Sequence, residues 1–411
     1  MKVGRLQFLS LLNVAVVPWK TYRRSHHNMN CESARLQGRR KYQEDHVFCD
    51  LHIPILFYER NHLPMSLTFN DDEGKNGVKQ VRIGMFAVFD GHAGAEASQM
   101  ASKLLLDYFL LHTNFIRHKA SLSLTFKKNY NGSSLFKEED YSDRLDSIVE
   151  SYALPLTESM HMEILKEALV RTIHDIDTTF SKEASENNLV SGSTATVVLL
   201  VDGHILAAHV GDSKALLCSE KFNTPDEVQG TLLREFKRRR RIGYKDMRLA
   251  ASNGLTRLSA EELTKDHHPD QVDERLRIEA CGGHVDWTCV PRVNGQLAVS
   301  RSIGDVMDWR PLTRNDSYLV VSSDEIYKKL TVQDVCDLLP YGHSKGYEML
   351  KLFPSCHYPS AECIVKTAFE EGSMDNLSAI VVPLKSAGLL SKNLQNRSSN
   401  DEAFSLQLCI T

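Results

Sequence analysis

Regularly spaced cysteines are absent from this sequence. Its nine cysteines include no C-x-x-C pair and no short regular spacing, which argues against both a zinc ribbon and a disulfide framework. Scattered cysteines of this kind are typical of reduced thiols. They therefore predict a cytoplasmic and/or nuclear protein.

The chain also carries little net charge of either sign. Lysine and arginine total 49 and aspartate and glutamate total 53, which leaves a net charge of −4 over 411 residues. Bulk electrostatics therefore predict neither general nucleic-acid binding nor an acidic tail. One local exception, the basic run 237–241, is interpreted either as a solvated loop or as a patch for nuclear import or an acidic partner.

The N-terminal apolar segment is too short to cross a membrane. Residues 6–17 follow Lys2 and Arg5, and a transmembrane helix needs about 20 apolar residues. A signal peptide or weak anchor is one interpretation of this pattern, but polar residues interrupt it and no clean cleavage site follows. We expect residues 1–34 to form an N-terminal extension that packs on the domain, with a membrane or secretory route as the alternative.

What the chain does contain is an alternation of β-like runs with helical stretches. Apolar residues three to four apart predict helices over 93–111 and 160–182, and Asp202-Gly203 predicts a two-residue hairpin. The predicted fold class is α+β, with two antiparallel sheets flanked by helices. Runs rich in β-branched or aromatic residues predict strands at 82–89, 195–201, 204–210, 215–218, 317–322 and 378–382.

One domain over residues 35–385 accounts for this alternation. Two segments, near 51–80 and 113–146, look like surface insertions, because they are long and contain polar turn residues. The polar tail 386–411 is predicted to be disordered.

Five short segments each place an aspartate at a strand end or turn. Each alone is a weak signal, since aspartate commonly caps turns. If several converge, their mutual repulsion would raise their pKa values unless cations neutralise them. Hard oxygen ligands prefer Mg²⁺ or Mn²⁺, so a converged cluster predicts a two-metal hydrolase. The aspartates are Asp45, Asp90, Asp212, Asp324 and Asp375.

Seven ordered motifs run through the domain. They are GRRKYQED at 38–45, VFDGHAG at 88–94, SGSTA at 191–195, VGDSKA at 210–215, LTKDHHP at 263–269, LAVSRSIGD at 297–305 and GSMDN at 372–376. Their order and spacing resemble the metal-dependent protein phosphatase family of type 2C, and its plant members in particular. The resemblance implies a four-layer α-β-β-α sandwich that hydrolyses phosphoserine and phosphothreonine in proteins.

The resemblance also implies a ligand set for two Mg²⁺ or Mn²⁺ ions per subunit. Asp90 would bridge both ions. A water activated by the ions would attack phosphorus in line, without a phosphoenzyme, which agrees with the lack of a C-x₅-R signature. The other implied ligands are Asp45, the Gly91 carbonyl, Asp324 and Asp375 directly, Glu44 through a water, and Asp212 near a third, weaker ion.

Two more residues have implied roles in catalysis. Arg40 would grip the phosphate, because a forked guanidinium matches phosphate oxygens; a surface salt bridge is the alternative. His92 would act as general acid for the departing serine or threonine alkoxide. The alternative for His92 is a turn histidine satisfied by a neighbouring carbonyl.

Three departures from the family pattern bear on activity. Glu325 follows Asp324 where the family usually has glycine, and we expect strain there if the backbone needs a positive φ. The segment 306–315 is short, which would expose a neighbouring strand edge or force local re-pairing. Gln43 and Ala93 replace a usual methionine and glycine, and we expect small effects from both.

These observations leave two main functions. The first is an active serine/threonine phosphatase that acts on phosphoproteins. The second is a pseudophosphatase that binds phosphoproteins or a protein kinase, which Glu325 and the short segment motivate. A metal-dependent hydrolase of small phosphoesters is a third. We expect a monomer with no nucleic-acid partner, and with a membrane contact only if residues 6–17 act as an anchor.

Overall fold

The computed structural model describes residues 31–58, 78–129, 158–227, 255–280, 282–287, 291–293, 305–306, 309–340 and 359–385. The helices are α1 Glu96–Asn129, α2 Glu158–Asn187, α3 Val272–Ala280, α4 Val332–Asp337 and α5 Ser360–Glu370, with a 3-10 turn at Asp324–Ile326. The strands are β1 Glu32–Leu36, β2 His46–Tyr58, β3 Val78–Phe89, β4 Gly91–His92, β5 Gly192–Ser193, β6 Ala195–Val201, β7 His204–Val210, β8 Lys214–Asn223, β9 Leu255–Glu262, β10 Val285–Asp286, β11 Arg292–Val293, β12 Asp305–Val306, β13 Arg310–Pro311, β14 Asp316–Ser322 and β15 Leu377–Pro383.

Two antiparallel sheets form the centre of the fold. Sheet A has the strand order β1-β15-β14-β8-β9, and sheet B has the order β12-β7-β6-β3-β2 with β13 also paired to β7. Successive side chains of a strand point to opposite faces. In β3, Ile83, Met85 and Ala87 therefore pack in one cluster with α1 and α2, whereas Phe86 and Val88 pack between the two sheets.

The outer face of sheet A completes the layers. Leu216 of β8 and Val320 of β14 pack there against α4 and α5, through residues such as Val335 and Ile364. The order of layers is α1 and α2, sheet B, sheet A, then α4 and α5. The predicted α+β class and four-layer α-β-β-α sandwich are confirmed.

The predicted hairpin at Asp202-Gly203 is confirmed. Strands β6 and β7 pair from Ala195↔Val210 to Val201↔His204, with the predicted bounds. Asp202 and Gly203 both have positive φ, 46° and 78°, as the mirror-image two-residue turns of hairpins require at their central positions.

The segment near 51–80 is partly a long hairpin instead of an insertion. Residues 51–58 continue β2 and residues 78–80 begin β3. Along β2, Leu51, Ile53, Ile55 and Phe57 alternate with exposed residues, a period of two that identifies a half-buried strand.

Other predicted boundaries also move. Helix α1 continues to Asn129, so residues 113–129 of the second predicted insertion are helical. Strand β1 begins at Glu32, three residues before the predicted domain boundary, and pairs with β15. Among the described helices, none is both long and apolar enough to cross a membrane. Residues 1–30, the basic run 237–241, most of the motif at 297–305 and the tail 386–411 lie outside the described residues.

The short segment after residue 304 pairs with the edge of β7 at two places. Strand β12 pairs with β7 at His209 and Ala208, and β13 pairs with β7 at Ile205 and His204. Between them, the Trp309 indole N–H donates to the Met162 carbonyl of α2 at 2.9 Å. Of the two predicted consequences, the structure therefore shows local re-pairing.

The prediction of unpaired cysteines is wrong for all five cysteines among the described residues, which include Cys363 of α5. Cys31 forms a disulfide with Cys49 of β2, and Cys218 of β8 forms one with Cys336 of α4. The Cα atoms of the second pair lie 5.7 Å apart, which is within the usual range for a disulfide. Sequence spacing missed both pairs because the partners meet only through tertiary packing.

Candidate functional site

The predicted site residues lie where strand ends from both sheets meet. Asp45 directly precedes β2 and Asp90 directly follows β3, and the pairing of His46 with Phe89 places these two aspartates opposite each other. Asp324 begins the 3-10 turn after β14, and Asp375 lies two residues before β15. Strands β14 and β15 are neighbours in sheet A, so the fold brings all four aspartates to one end of the sandwich.

Burial, followed by mutual repulsion, raises the pKa values of the aspartates at this end. Burial, followed by the charges of Asp45, Asp324 and Asp212, raises the pKa of Asp90 well above its usual value. Burial raises the pKa of Asp45 to about 6, with further contributions from Asp375 and Asp324. Burial and then the charge of Asp324 raise the pKa of Asp212 to about 6. Each of the five predicted aspartates therefore interacts through its charge with at least one of the others.

The chemistry of this cluster fits hard divalent cations. Asp45 is almost fully buried, and its Oδ2 accepts a hydrogen bond from Ser378 at 2.7 Å. Its Oδ1 is buried and has no hydrogen-bond partner among the described residues. A bound cation would give this oxygen a partner and would neutralise the repulsion between the carboxylates.

The carboxylates do not stand at ligand spacing around one point. Within the described ranges, no three side chains of His, Cys, Asp or Glu form a group that could hold a metal ion as they stand. Two of the carboxylates instead contact basic side chains: Lys328 Nζ lies 3.0 Å from Asp324 Oδ2, and Arg40 forms an ion pair with Asp375. Ion pairs with Lys328 and Arg40 therefore position these two carboxylates.

Close packing fixes the loop that carries Glu44. Asn376 Oδ1 accepts a hydrogen bond from the Glu44 N–H at 2.7 Å, and the Ser98 hydroxyl donates to the Glu44 carbonyl. A Cβ on Gly91 would overlap that same carbonyl, so only glycine allows this approach. The roles of Ser98, Asn376 and Ser378 were not predicted from the sequence, because they depend on contacts with residues far away in the chain.

Arg40 lies on a loop that docks against the Asp375 loop. The Arg39 N–H donates to the Met374 carbonyl at 3.2 Å. Gly38 has a φ of 66°, and a Cβ there would overlap the Asp375 carbonyl. The Arg40 side chain is 56% exposed and pairs with Asp375, so the salt bridge considered for it does form, with a partner inside the predicted site.

His92 is placed by a two-strand contact. Strand β4 pairs with β5, with Gly91 opposite Ser193 and His92 opposite Gly192. Burial lowers the pKa of His92, and the charge of Glu44 partly opposes this. A lower pKa makes the imidazolium a stronger acid, although less of it is present at neutral pH.

Gly192 tests whether the position of the His92 ring matters. A Cβ at Gly192 would overlap Nε2 of His92, so Gly192→Ala should displace the ring without disturbing the sheets. We expect kcat for a phosphothreonine peptide to fall about tenfold or more, within the range that general-acid assistance contributes. Steady-state kinetics at saturating Mn²⁺ measure this, and thermal melting verifies that the variant is folded. Unchanged kcat in Gly192→Ala would contradict the placement of His92.

Both substitutions that we expected to have small effects occupy costly positions. Ala93 has a φ of 57°, a left-handed conformation that costs an L-residue about 1–2 kcal/mol. The side-chain amide of Gln43 is buried, and neither its nitrogen nor its oxygen has a hydrogen-bond partner among the described residues. An unsatisfied buried polar group costs about 1–3 kcal/mol.

Ala93→Gly should therefore stabilise the protein. Relief of the left-handed strain exceeds the extra chain entropy of glycine, and we expect a gain of about 0.5–1 kcal/mol in the free energy of unfolding. Urea denaturation measures it. Ala101→Gly, at a buried position in the interior of α1, should have the opposite sign because glycine weakens a helix by about 1 kcal/mol. A loss of stability in Ala93→Gly would show that this backbone is not strained.

The prediction of strain at Glu325 is wrong. Of the described non-glycine residues, only Ala93, Asn188 and Asp202 have positive φ, so the backbone at Glu325 tolerates a side chain. The Glu325 carboxylate is 7% exposed and pairs with Lys328 at 2.8 Å. Hydrogen bonds and this ion pair outweigh burial and hold its pKa down at about 2. Glu325 is therefore an integral part of the site.

Comparisons with known proteins identify the family of this chain. The family model described as Protein phosphatase 2C matches residues 106–231 and 251–377. The chain is 46% identical over 409 residues to a protein of Arabidopsis thaliana named "Probable protein phosphatase 2C 51", covering 90% of this chain and 74% of that one. A second A. thaliana relative, named "Putative protein phosphatase 2C 50", is 52% identical over 331 residues, covering 75% of this chain and 76% of that one.

A solved structure of similar fold is that of a C. elegans sex determining protein. It has a TM-score of 0.50 and 20% sequence identity, and the match covers 88% of this chain and 67% of that chain. At this identity the likeness concerns the fold alone.

Proposed function

The chain belongs to the protein phosphatase 2C family and is a serine/threonine protein phosphatase, and from that premise we propose that it hydrolyses phosphoserine and phosphothreonine of proteins with two Mg²⁺ or Mn²⁺ ions held at the aspartate cluster. The observation that supports this most strongly is the buried, unpartnered Oδ1 of Asp45 beside Asp90. Bound divalent cations would supply an activated water and polarise the phosphoryl group.

The first task of the chain's own residues is to hold the cations. Asp90 is central, because its pKa responds to three other carboxylates of the cluster. Asp45, Asp324, Asp375 and the Gly91 carbonyl would complete the ligand set, and Glu44 would act through a water. Asp212 responds mainly to Asp324 among the carboxylates, which suits a third, weaker position at that side.

The second task is to bind the phosphate. Arg40 stands at the rim, paired with Asp375 through Nη2. A guanidinium has five N–H donors, so this contact leaves donors for phosphate oxygens. Asp375 would thus hold Arg40 in place while the guanidinium faces the substrate.

The third task is to give a proton to the leaving oxygen of serine or threonine. His92 follows Gly91 directly, and its pKa responds to the charge of Glu44, which also acts on Arg40. His92 and Arg40 therefore both lie within electrostatic reach of Glu44, which supports their acting on one phosphate. We assign His92 as the general acid.

The pseudophosphatase alternative has no support from these findings. The family membership supports a phosphatase, and the two departures that motivated the alternative are accommodated: Glu325 is hydrogen-bonded into the site, and β12 and β13 pair with β7.

Phosphate release from a phosphothreonine peptide tests the proposal. We expect release by the full chain with Mn²⁺, loss of release on adding EDTA, and recovery with excess Mn²⁺. The Asp90→Asn variant, purified in the same way, controls for contaminating phosphatases. Release that persists in EDTA, or none with either metal, would contradict the proposal.

A further inference from the structure

We propose that Lys328 is a built-in cation of the site, which Glu325 holds against Asp324 and which competes with divalent cations for that carboxylate. The proposal rests on the proposed function, because it concerns how tightly the aspartate cluster binds metal. It assigns a role to two residues outside the implied ligand set.

The 3-10 turn at Asp324–Ile326 makes this contact possible. It brings Lys328, four residues after Asp324 and three after Glu325, back over both carboxylates. Lys328 Nζ lies 3.0 Å from Asp324 Oδ2 and 2.8 Å from Glu325 Oε2. The ammonium thus bridges a carboxylate of the cluster and a neighbouring carboxylate.

Glu325 is itself fixed to the other side of the site. Its Oε1 accepts hydrogen bonds from the Ser373 hydroxyl at 2.9 Å and from the Met374 N–H at 3.0 Å. The Asp375 N–H also approaches the same oxygen, at 3.4 Å. Glu325 therefore connects the Asp324 turn to the Asp375 loop. Its Oε1 binds that loop, and its Oε2 orients Lys328.

This arrangement explains why Lys328 is more than a surface lysine. An isolated ion pair at the surface is worth about 0–1 kcal/mol, because holding two flexible side chains together costs entropy. Here one partner, Glu325, is buried and immobilised before the pair forms, while Lys328 remains 56% exposed and able to swing away. The ammonium is thus placed beside Asp324 but can be displaced.

Competition follows from charge. An ammonium beside Asp324 already neutralises part of the negative charge that attracts a divalent ion, and it occupies one oxygen that could be a ligand. Removing that charge should leave Asp324 free to turn to the metal. Since a tenfold change in affinity corresponds to about 1.4 kcal/mol, a pair of this kind predicts about three- to tenfold tighter binding of Mn²⁺.

The chain offers a matched control for the loss of a lysine charge. On α5, Lys366 Nζ pairs with Glu362 at 2.6 Å across the same four-residue spacing. Lys366→Met therefore removes the same kind of ion pair without touching Asp324 or Glu325. Lys328→Arg keeps the positive charge at the site.

Calorimetric titration of the metal-free full chain with Mn²⁺ tests the proposal without relying on activity. We expect the Kd to fall about three- to tenfold in Lys328→Met, and to stay at the wild-type value in Lys366→Met and close to it in Lys328→Arg. Lys328→Gln provides a second neutral variant, and thermal melting in EDTA verifies that each variant is folded. Equal or weaker Mn²⁺ binding by folded Lys328→Met and Lys328→Gln would overturn the competition.

The failure of the proposed function would look different. If the wild-type chain itself shows no Mn²⁺ binding, the metal-dependent mechanism and the role of Lys328 both fall. If the wild type binds Mn²⁺ and only the Lys328 variants fail to bind it more tightly, the competition alone is wrong.

Discussion

Asp90→Asn should abolish phosphatase turnover and leave the fold intact. Asp90 is the aspartate on which Asp45, Asp324 and Asp212 all act, and asparagine removes its charge while keeping its shape. Loss of a residue that merely supports a metal ligand costs about 10–100-fold in affinity or activity. We expect the loss of a central ligand to exceed that range, as measured by phosphate release at saturating Mn²⁺.

The same substitution should not lower stability, and this distinguishes a loss of metal binding from misfolding. Without metal, ionised Asp90 is destabilised by burial and by its neighbours, which is why its pKa is raised. Asparagine cannot ionise, so the melting temperature in EDTA at pH 7 should rise or stay unchanged. Near-wild-type turnover in Asp90→Asn would contradict the two-metal mechanism, and a large drop in melting temperature would show that the loss of activity is structural.

His92→Ala should slow the hydrolysis of phosphothreonine far more than that of p-nitrophenyl phosphate. Threonine leaves as a strongly basic alkoxide and needs a proton, whereas nitrophenolate leaves without one. General-acid assistance contributes about 10²–10⁴-fold. We expect kcat/KM to fall within that range for the peptide and to change little for the aryl phosphate.

Comparison of the two substrates isolates the proton-transfer role. A change that only disturbs the site or weakens metal binding would lower both rates together. Thr194→Ser provides a control next to the β5 strand, because serine retains a hydroxyl that can accept from the Asp90 N–H as Thr194 does. Equal losses on the two substrates in His92→Ala would show that the ring is structural.

Much of the architecture could be predicted from local pattern. Asp202-Gly203 between two apolar runs determines the β6–β7 hairpin and its register, because this turn needs residues that adopt positive φ. Four of the five aspartates were also readable, since they lie beside predicted strands, whereas Asp45 precedes β2, which was not predicted. That they converge depended on the family resemblance, because spacing along the chain does not reveal which strand ends meet.

The strain was predicted at the wrong residue for a physical reason. A side chain in place of glycine is costly only where the backbone needs positive φ. That condition holds at Ala93, with a φ of 57°, and not at Glu325. The sequence does not show backbone angles, so it could not reveal which of the two replaced glycines needs a positive φ. The role of Glu325 depends on Ser373 and Met374, 48 and 49 residues away, and no local pattern signals such contacts.

The disulfides and the pairing of β12 and β13 with β7 were also missed because they depend on contacts between residues that are distant in sequence. Cys218 and Cys336 are 118 residues apart, and they meet because α4 packs on the outer face of sheet A. Strands β12 and β13 are two residues each, too short to leave a periodic pattern. In both cases the tertiary fold creates a contact that neighbouring residues in sequence do not encode.

The most direct test of the account is an anomalous-difference map from crystals of the full chain grown with Mn²⁺. We predict peaks within about 2.0–2.6 Å of Asp90 carboxylate oxygens, the range of divalent cations with oxygen ligands, with Asp45 touching the same density. A map that places Mn²⁺ elsewhere, with none in contact with Asp90, would contradict the central claim that this aspartate cluster holds the catalytic metal ions.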